Sequence, residues 1–394
     1  MEKFTELCEG RYPVGLFYFD KASWSDEGVK QAVDIGADFL VATESLEPLV
    51  SLCEKYNLGI ISTSNFTLWW GGMGDTAGTY KDHTPLEKLD EIKKSYPESP
   101  AVWGDYPVDE PNCKDFEHVN KVIKRYREVF PGKMPFINLH PAQAVKLRNE
   151  SGGNPLGNPT YNEYVDDYVR EIDTPYIAFD NYPLSNLNHD FPMYLENLDI
   201  IARACKKSNR EMWVITAAGA WKPEQILDAF QIDWQIYLCL AYGAKTIIHA
   251  SYSKGWWDET TSCVNLQGEK NVTYDYVKDI NAVLHSPLGT EFLKYDYLYT
   301  EVCGDIESAH ELIKPQFVKQ NSGERPSDLP EITIESDKAV VIGYFKKDDG
   351  FAVMVVNSHD PFDGLVTANV KLEAKGTKQI KSIGSGQGVF VIFE

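Results

Sequence analysis

Residues 12–44 read YPVGLFYFDKASWSDEGVKQAVDIGADFLVATE. Two short apolar runs, Tyr12–Asp20 and Asp38–Glu44, flank DEGVKQAVDIG, whose apolar residues recur at helical spacing. The stretch predicts strand, helix, strand. An open doubly wound sheet usually places a Gly-rich phosphate turn after its first strand, but here that turn is Asp20-Lys21-Ala22-Ser23-Trp24. Further strands are predicted at Leu58–Ser64, Ala101–Val108, Met134–His140, Tyr176–Asn181, Glu211–Ala218 and Ala244–Tyr252. Helical patterns separate them, and YDYVKDINAVL from Tyr274 supplies the eighth helix. Strict alternation demands a parallel sheet, because each return crossover needs a helix. Eight such units close a (β/α)8 TIM barrel.

Beyond about residue 296 the period changes to two. The runs EITIES, AVVIGYFKK, FAVMVVNS, LVTANVKLE and GVFVIFE are joined by the turn signals DDG, HDPFDG and GSGQG. The expected architecture is therefore a barrel over residues 1–294 and a small antiparallel β-sandwich over 295–394. No helix of useful length is expected in the second part, and Gln316–Pro330 reads as a long polar loop.

Lys plus Arg number 38 against 59 Asp plus Glu, a formal net charge of −21. Nucleic-acid affinity rests on cationic side chains replacing counterions, so a polyanion partner is excluded, and an anionic membrane surface is disfavoured likewise. The seven cysteines form no CxxC pair, which fits a reducing compartment. The first twenty residues lack a basic segment followed by an apolar one, and no run reaches the roughly 18 residues that span a bilayer. A cytoplasmic protein is expected, unless a leader has already been removed. Oligomeric state is left open.

Working residues of such barrels lie at the carboxyl ends of the strands. That filter retains Asp20, Glu44, Asp105, Asp109, Glu110, His140, Asp180 and His249; Glu211 starts its strand and reads as a surface residue. The most informative segment is Trp103-Gly-Asp-Tyr-Pro-Val-Asp-Glu-Pro111, which puts Asp109 and Glu110 at the mouth on strand four. Glycoside hydrolysis needs two carboxyl groups flanking the scissile bond. The plainer alternative is that both acids serve the first turn of the next helix.

This segment resembles the strand-four motif, an aromatic or Gly-Tyr followed by Asp-Glu-Pro, of many (β/α)8 glycoside hydrolases and hydrolase-like proteins of gut bacteria. Phe179-Asp-Asn-Tyr-Pro183 is similar to their strand-six Tyr-Asp-His-Tyr-Pro, and Ile342-Gly-Tyr-Phe with Gly350–Asn357 resembles their β-sandwich tail. The resemblance covers nearly the whole chain. It implies a carbohydrate-active enzyme in which Glu110 is the general acid/base, and it names no sugar or linkage.

One departure stands out. Large retaining clans carry a nucleophilic Glu at the end of strand seven, whereas this chain has Trp213-Val-Ile-Thr-Ala-Ala-Gly-Ala-Trp221. Glu224 lies at a helix start, where an acid is ordinary. Asp180 is then the candidate partner, as nucleophile, as base, or as acceptor of a sugar hydroxyl. Alternatively Asp109 and Glu110 act together, Glu donating the proton while Asp orients an acetamido group. Both can face inward only if the chain turns at the strand end.

Expected sugar contacts are the rim tryptophans Trp69, Trp70, Trp221, Trp256 and Trp257, with Tyr106, Asn138, His140, Tyr182, His249 and Tyr252 for hydroxyls. His140 and His249 could join Glu110 and Asp180 in a mixed metal site. No HxH or HExxH spacing supports one, so neither a metal nor another cofactor is expected. GxGxxG, Walker and GxSxG motifs do not occur. Two other functions remain open: a metal-dependent isomerase or lyase, and a non-catalytic carbohydrate-binding barrel.

Overall fold

The computed structural model describes residues 2–184, 193–309, 314–321, 325–359 and 363–393. Eight parallel strands form the barrel: β1 (Val14–Phe17), β2 (Phe39–Thr43), β3 (Gly59–Ser62), β4 (Val102–Asp109), β5 (Met134–Leu139), β6 (Tyr176–Asn181), β7 (Glu211–Ala217) and β8 (Ala244–Ala250). Each pairs with its sequence neighbour, and β1 pairs with β8 to close the ring. The outer helices are α1 (Asp26–Asp34), α2 (Leu49–Tyr56), α3 (Lys88–Lys93), α4 (Phe116–Val129), α5 (Tyr161–Glu171), α6 (Tyr194–Ser208), α7 (Ala229–Ala241) and α8 (Val272–Leu284). A Thr160/Glu163 capping box starts α5, satisfying its first amides.

The amino end of the barrel is shut by a short helix, Phe4–Leu7, which the sequence did not announce. Phe4 is fully buried, with its ring 3.8 Å from that of Phe39 and 4.4 Å from that of Trp213. Above this plug the interior is filled by Phe136, Tyr176, Trp213, Tyr106 and Phe17. The opposite end is left for chemistry.

The carboxyl-terminal region holds two antiparallel sheets. One has the order β9 (Asp296–Cys303), β11 (Val340–Lys347), β12 (Gly350–Asn357), β15 (Gly388–Phe393); the other joins β10 (Thr333–Ser336), β13 (Ala368–Ala374) and β14 (Thr377–Ile383). Helix α7 is apolar nearly all round and buried along its length, because it lies between the barrel wall and this first sheet. The contact is close. A side chain at Gly343 would meet the Ala241 carbonyl at 2.0 Å, and Thr300 donates to that oxygen at 3.0 Å.

Two expectations need correction here. A helix, Lys314–Asn321, occupies part of the stretch expected to be loop. Its Gln316 side chain accepts from the amides of Leu195 and Glu196 at the start of α6, and Phe317 is buried. That helix is ordered by tertiary contacts which local pattern does not encode. The strand Thr377–Ile383 was also missed, since it is polar and mostly exposed. Among the described residues no helix is long and apolar enough to cross a membrane. All seven cysteines are unpaired.

Candidate active site

Strand β4 does the most to build the mouth. Its pairing with β5 slips between Asp105 and Val108, so that one extra residue stands on the β4 side around Tyr106-Pro107. In a regular strand, residues three apart point to opposite faces. The bulge brings Tyr106 and Asp109 to the same inner face, and the Tyr106 hydroxyl donates to Asp109 Oδ1 at 2.6 Å. Glu110 then adopts a left-handed backbone with φ 48°. This is the turn that lets adjacent Asp109 and Glu110 both face the opening.

Asn138 on β5 and Asp180 on β6 complete the cluster. The Asn138 amide nitrogen donates to Asp180 Oδ1 at 2.7 Å and to Asp109 Oδ1 at 3.1 Å. Asn138 Oδ1 is buried and has no hydrogen-bond partner among the described residues. Glu110 keeps 18% of its side-chain exposure; its Oε2 accepts from the Trp70 indole at 2.7 Å, and its Oε1 lies 3.4 Å from His140 Nδ1.

Three carboxyl groups this close cannot all be charged. Burial, followed by the charges of Glu110 and Asp109, pushes Asp180 well above the usual carboxylate range. Burial and then Glu110 raise Asp109 to about 7, against the opposing bonds from Tyr106 and Asn138. Glu110 goes the other way. Burial disfavours its charge, yet attraction to His140 and the hydrogen bonds from His140 and Trp70 outweigh that cost and lower it. The surroundings thus drive the proton affinities apart, Glu110 down and Asp109 and Asp180 up.

Of the expected aromatic wall, Trp70 and Trp221 are 58% and 50% exposed, and half-buried Trp256 meets Tyr182 and Phe17 at 5.8 and 5.7 Å. Four expected contacts do not reach the opening. Trp69 and Trp70 form a two-residue strand beside Val108-Asp109, so their rings alternate, and Trp69 is buried against Tyr80. Trp257 is buried under Trp221, packed against Gly219. Tyr252 is buried and stacked on Phe19 at 5.2 Å. His249 faces the helices, its Nε2 2.7 Å from Asn281 Oδ1, and burial lowers its pKa to about 4.

The remaining acids have other roles. Asp105 is fully buried outside the barrel wall, accepting from Tyr96, Tyr126 and Asn65. Asp20 caps the turn Lys21–Ser23, and Glu44 pairs with Lys21 at 3.0 Å. The end of β7 carries no carboxylate, and Glu224 lies exposed in the turn Pro223–Gln225. Among the described residues no three His, Cys, Asp or Glu side chains cluster in a way that could hold a metal ion.

The sequence did not single out Gly71 or Tyr164. A side chain at Gly71 would strike the Glu110 carbonyl at 1.9 Å, and the Gly71 amide bonds the Asp109 carbonyl at 2.8 Å. Tyr164 holds the Pro111 carbonyl at 2.6 Å. The Gly71-Gly72 pair was the available signal, since adjacent glycines mark close backbone approach. A cavity of about 800 Å³ also exists at the amino end of the barrel, lined in part by Lys3, Arg210 and Lys245. Lys3 pairs with Glu211, Lys245 donates to the Phe292 and Tyr295 carbonyls, and Arg210 donates through Nη2 to the Val169 and Ile172 carbonyls, while its Nη1 has no partner among the described residues. The carboxyl cluster lies at the other end.

No protein-family model and no curated protein matches this chain. Its barrel is similar to solved structures. A Bacteroides thetaiotaomicron protein provisionally assigned as an alpha-L-fucosidase is 15% identical, covering 70% of this chain and 94% of that one, with a TM-score of 0.49. The endo-beta-1,4-mannanase of Thermotoga petrophila is 10% identical, with 95% and 97% covered and a TM-score of 0.46. A GH10 xylanase of Thermobacillus composti is 11% identical, with 70% and 99% covered and a TM-score of 0.43. At such identities the likeness concerns the fold alone, which does not determine a reaction.

Proposed function

We propose that this protein hydrolyses a glycosidic bond in a glycoside or oligosaccharide bound at the barrel mouth. The observation that carries the reading is the gathering of three carboxyl groups at the mouth, Asn138 bridging Asp109 and Asp180 while Glu110 meets Trp70 and His140, in surroundings that push the first two up and the third down. Carboxyl groups whose environments drive their proton affinities apart are what acid and base roles require.

In this reading Glu110 is the charged carboxylate, attacking the sugar or activating water. The Asp109–Asp180 pair holds the proton delivered to the leaving oxygen. The roles differ from those implied by the resemblance, which gave the proton to Glu110, and they need no carboxylate on β7. Asn138 bridges Asp109 and Asp180, donating to one oxygen of each. Trp221, Trp256 and Tyr182 offer ring faces to the sugar.

The test is turnover of a panel of 4-nitrophenyl glycosides, N-acetylhexosaminides included, by the wild type and Glu110→Gln. At least one glycoside is expected to be cleaved, with kcat falling about 10³-fold in the variant. Equal turnover by the variant would sink the assignment. Glycan binding with no turnover in the wild type would make the barrel a binding module instead.

A further inference from the structure

Trp70 is more than half exposed, yet its indole N–H is not left to water: it ends on Glu110 Oε2 at 2.7 Å. The surrounding loop is built to keep it there. Trp69 anchors the strand by burying its ring against Tyr80, and Trp69-Trp70 pair with Val108-Asp109. Gly71 follows with its amide on the Asp109 carbonyl, so close to Glu110 that no side chain fits. Gly72 takes φ 47°, and a side chain there would lie 2.6 Å from the Trp70 ring. Farther on, Asp115 accepts from the amides of Gly78 and Tyr80, tying the loop to the start of α4. Both ends of the loop are therefore fastened to the segment that carries Glu110.

We propose that Trp70 is a positioning residue, whose indole N–H aims the Glu110 carboxylate and stabilises its charge while its open ring face stays available to a sugar. This deepens the hydrolase reading and rests on it for what the carboxylate does, though the contact stands without it. A donor to a charged group favours the charged form. The groups facing Glu110 that could compete are Asp109 on β4, His140 on β5 and Asp180 on β6, with the phenols of Tyr106, Tyr164 and Tyr182. Burial works against its charge, so the two donors, His140 and Trp70, have to outweigh that cost.

Trp70→Phe keeps an aromatic ring and removes the N–H. Two readouts apply: the titration of Glu110 followed by carbon NMR in protein labelled at the Glu side-chain carboxyl, assigned with Glu110→Gln, and the pH profile of kcat/KM on a cleaved aryl glycoside. Trp70→Phe should move the Glu110 titration, and with it the acid limb of the profile, up by about one pH unit, with KM changed less than about threefold. An unmoved Glu110 titration overturns the proposal, whatever the activity. If no glycoside is cleaved but the titration moves, the positioning role holds and the hydrolase reading fails.

Discussion

The Asn138 amide nitrogen lies 2.7 Å from Asp180 Oδ1, on the neighbouring strand. The same nitrogen reaches Asp109 at 3.1 Å, so two acids are spaced by one neutral donor. A cationic residue at this point would drive both toward ionisation, whereas the bonds from a neutral amide lower their proton affinity only in part and burial still holds it raised.

Asn138→Ala should therefore damage catalysis more than binding. With the spacer gone, Asp180 and Asp109 lose their shared donor and shift relative to the substrate. A misplacement of about 1 Å can cost on the order of 100-fold. We expect kcat to fall by about that factor with KM nearly unchanged, measured by steady-state kinetics on the best glycoside.

Asp109 makes a prediction about stability and pH. An unfolded aspartate releases its proton near about 3.9, while Asp109 in the folded chain does so at about 7. Between these values the folded state holds a proton that the unfolded state has lost, so stability falls as pH rises from about 4 to about 7. Asp109→Asn removes that penalty. The variant should be more stable than wild type by up to about 4 kcal/mol at pH 8 and no more stable at pH 4, by thermal or urea denaturation at the two pH values.

Asp105 should matter for folding and not for chemistry. It satisfies Tyr96, Tyr126 and Asn65 in a site without solvent. Asp105→Ala strands three buried donors and should cost about 3 kcal/mol, whereas Asp105→Asn, which keeps an acceptor, should cost about 1 kcal/mol. Urea midpoints would separate the two, and kcat of the folded fraction should be unchanged in both.

What the sequence determined on its own was the architecture. Eight alternations of apolar run and amphipathic stretch dictate a closed parallel barrel, because crossover geometry leaves few other solutions. The period-two tail dictates an antiparallel sandwich, since alternation with short turns is local information. The Asp-Glu-Pro motif likewise put carboxyl groups at the mouth. Elements stabilised from elsewhere were not legible: the Phe4 plug, the Gln316 helix and the exposed strand Thr377–Ile383 depend on partners distant in sequence.

Within the site, only the tertiary structure decided which residues face the mouth and which charge each carries. Asp105 and Asp109 are the same side chain four residues apart on one strand, yet one is a buried acceptor and the other a proton carrier. A bulge and one left-handed residue, Glu110, separate those outcomes. Trp69 and Trp70 part company by strand alternation, and His140 meets Glu110 whereas His249 turns to Asn281. Side-chain direction and proton affinity depend on strand register and on neighbours brought from other strands, and neither is a property of residue type.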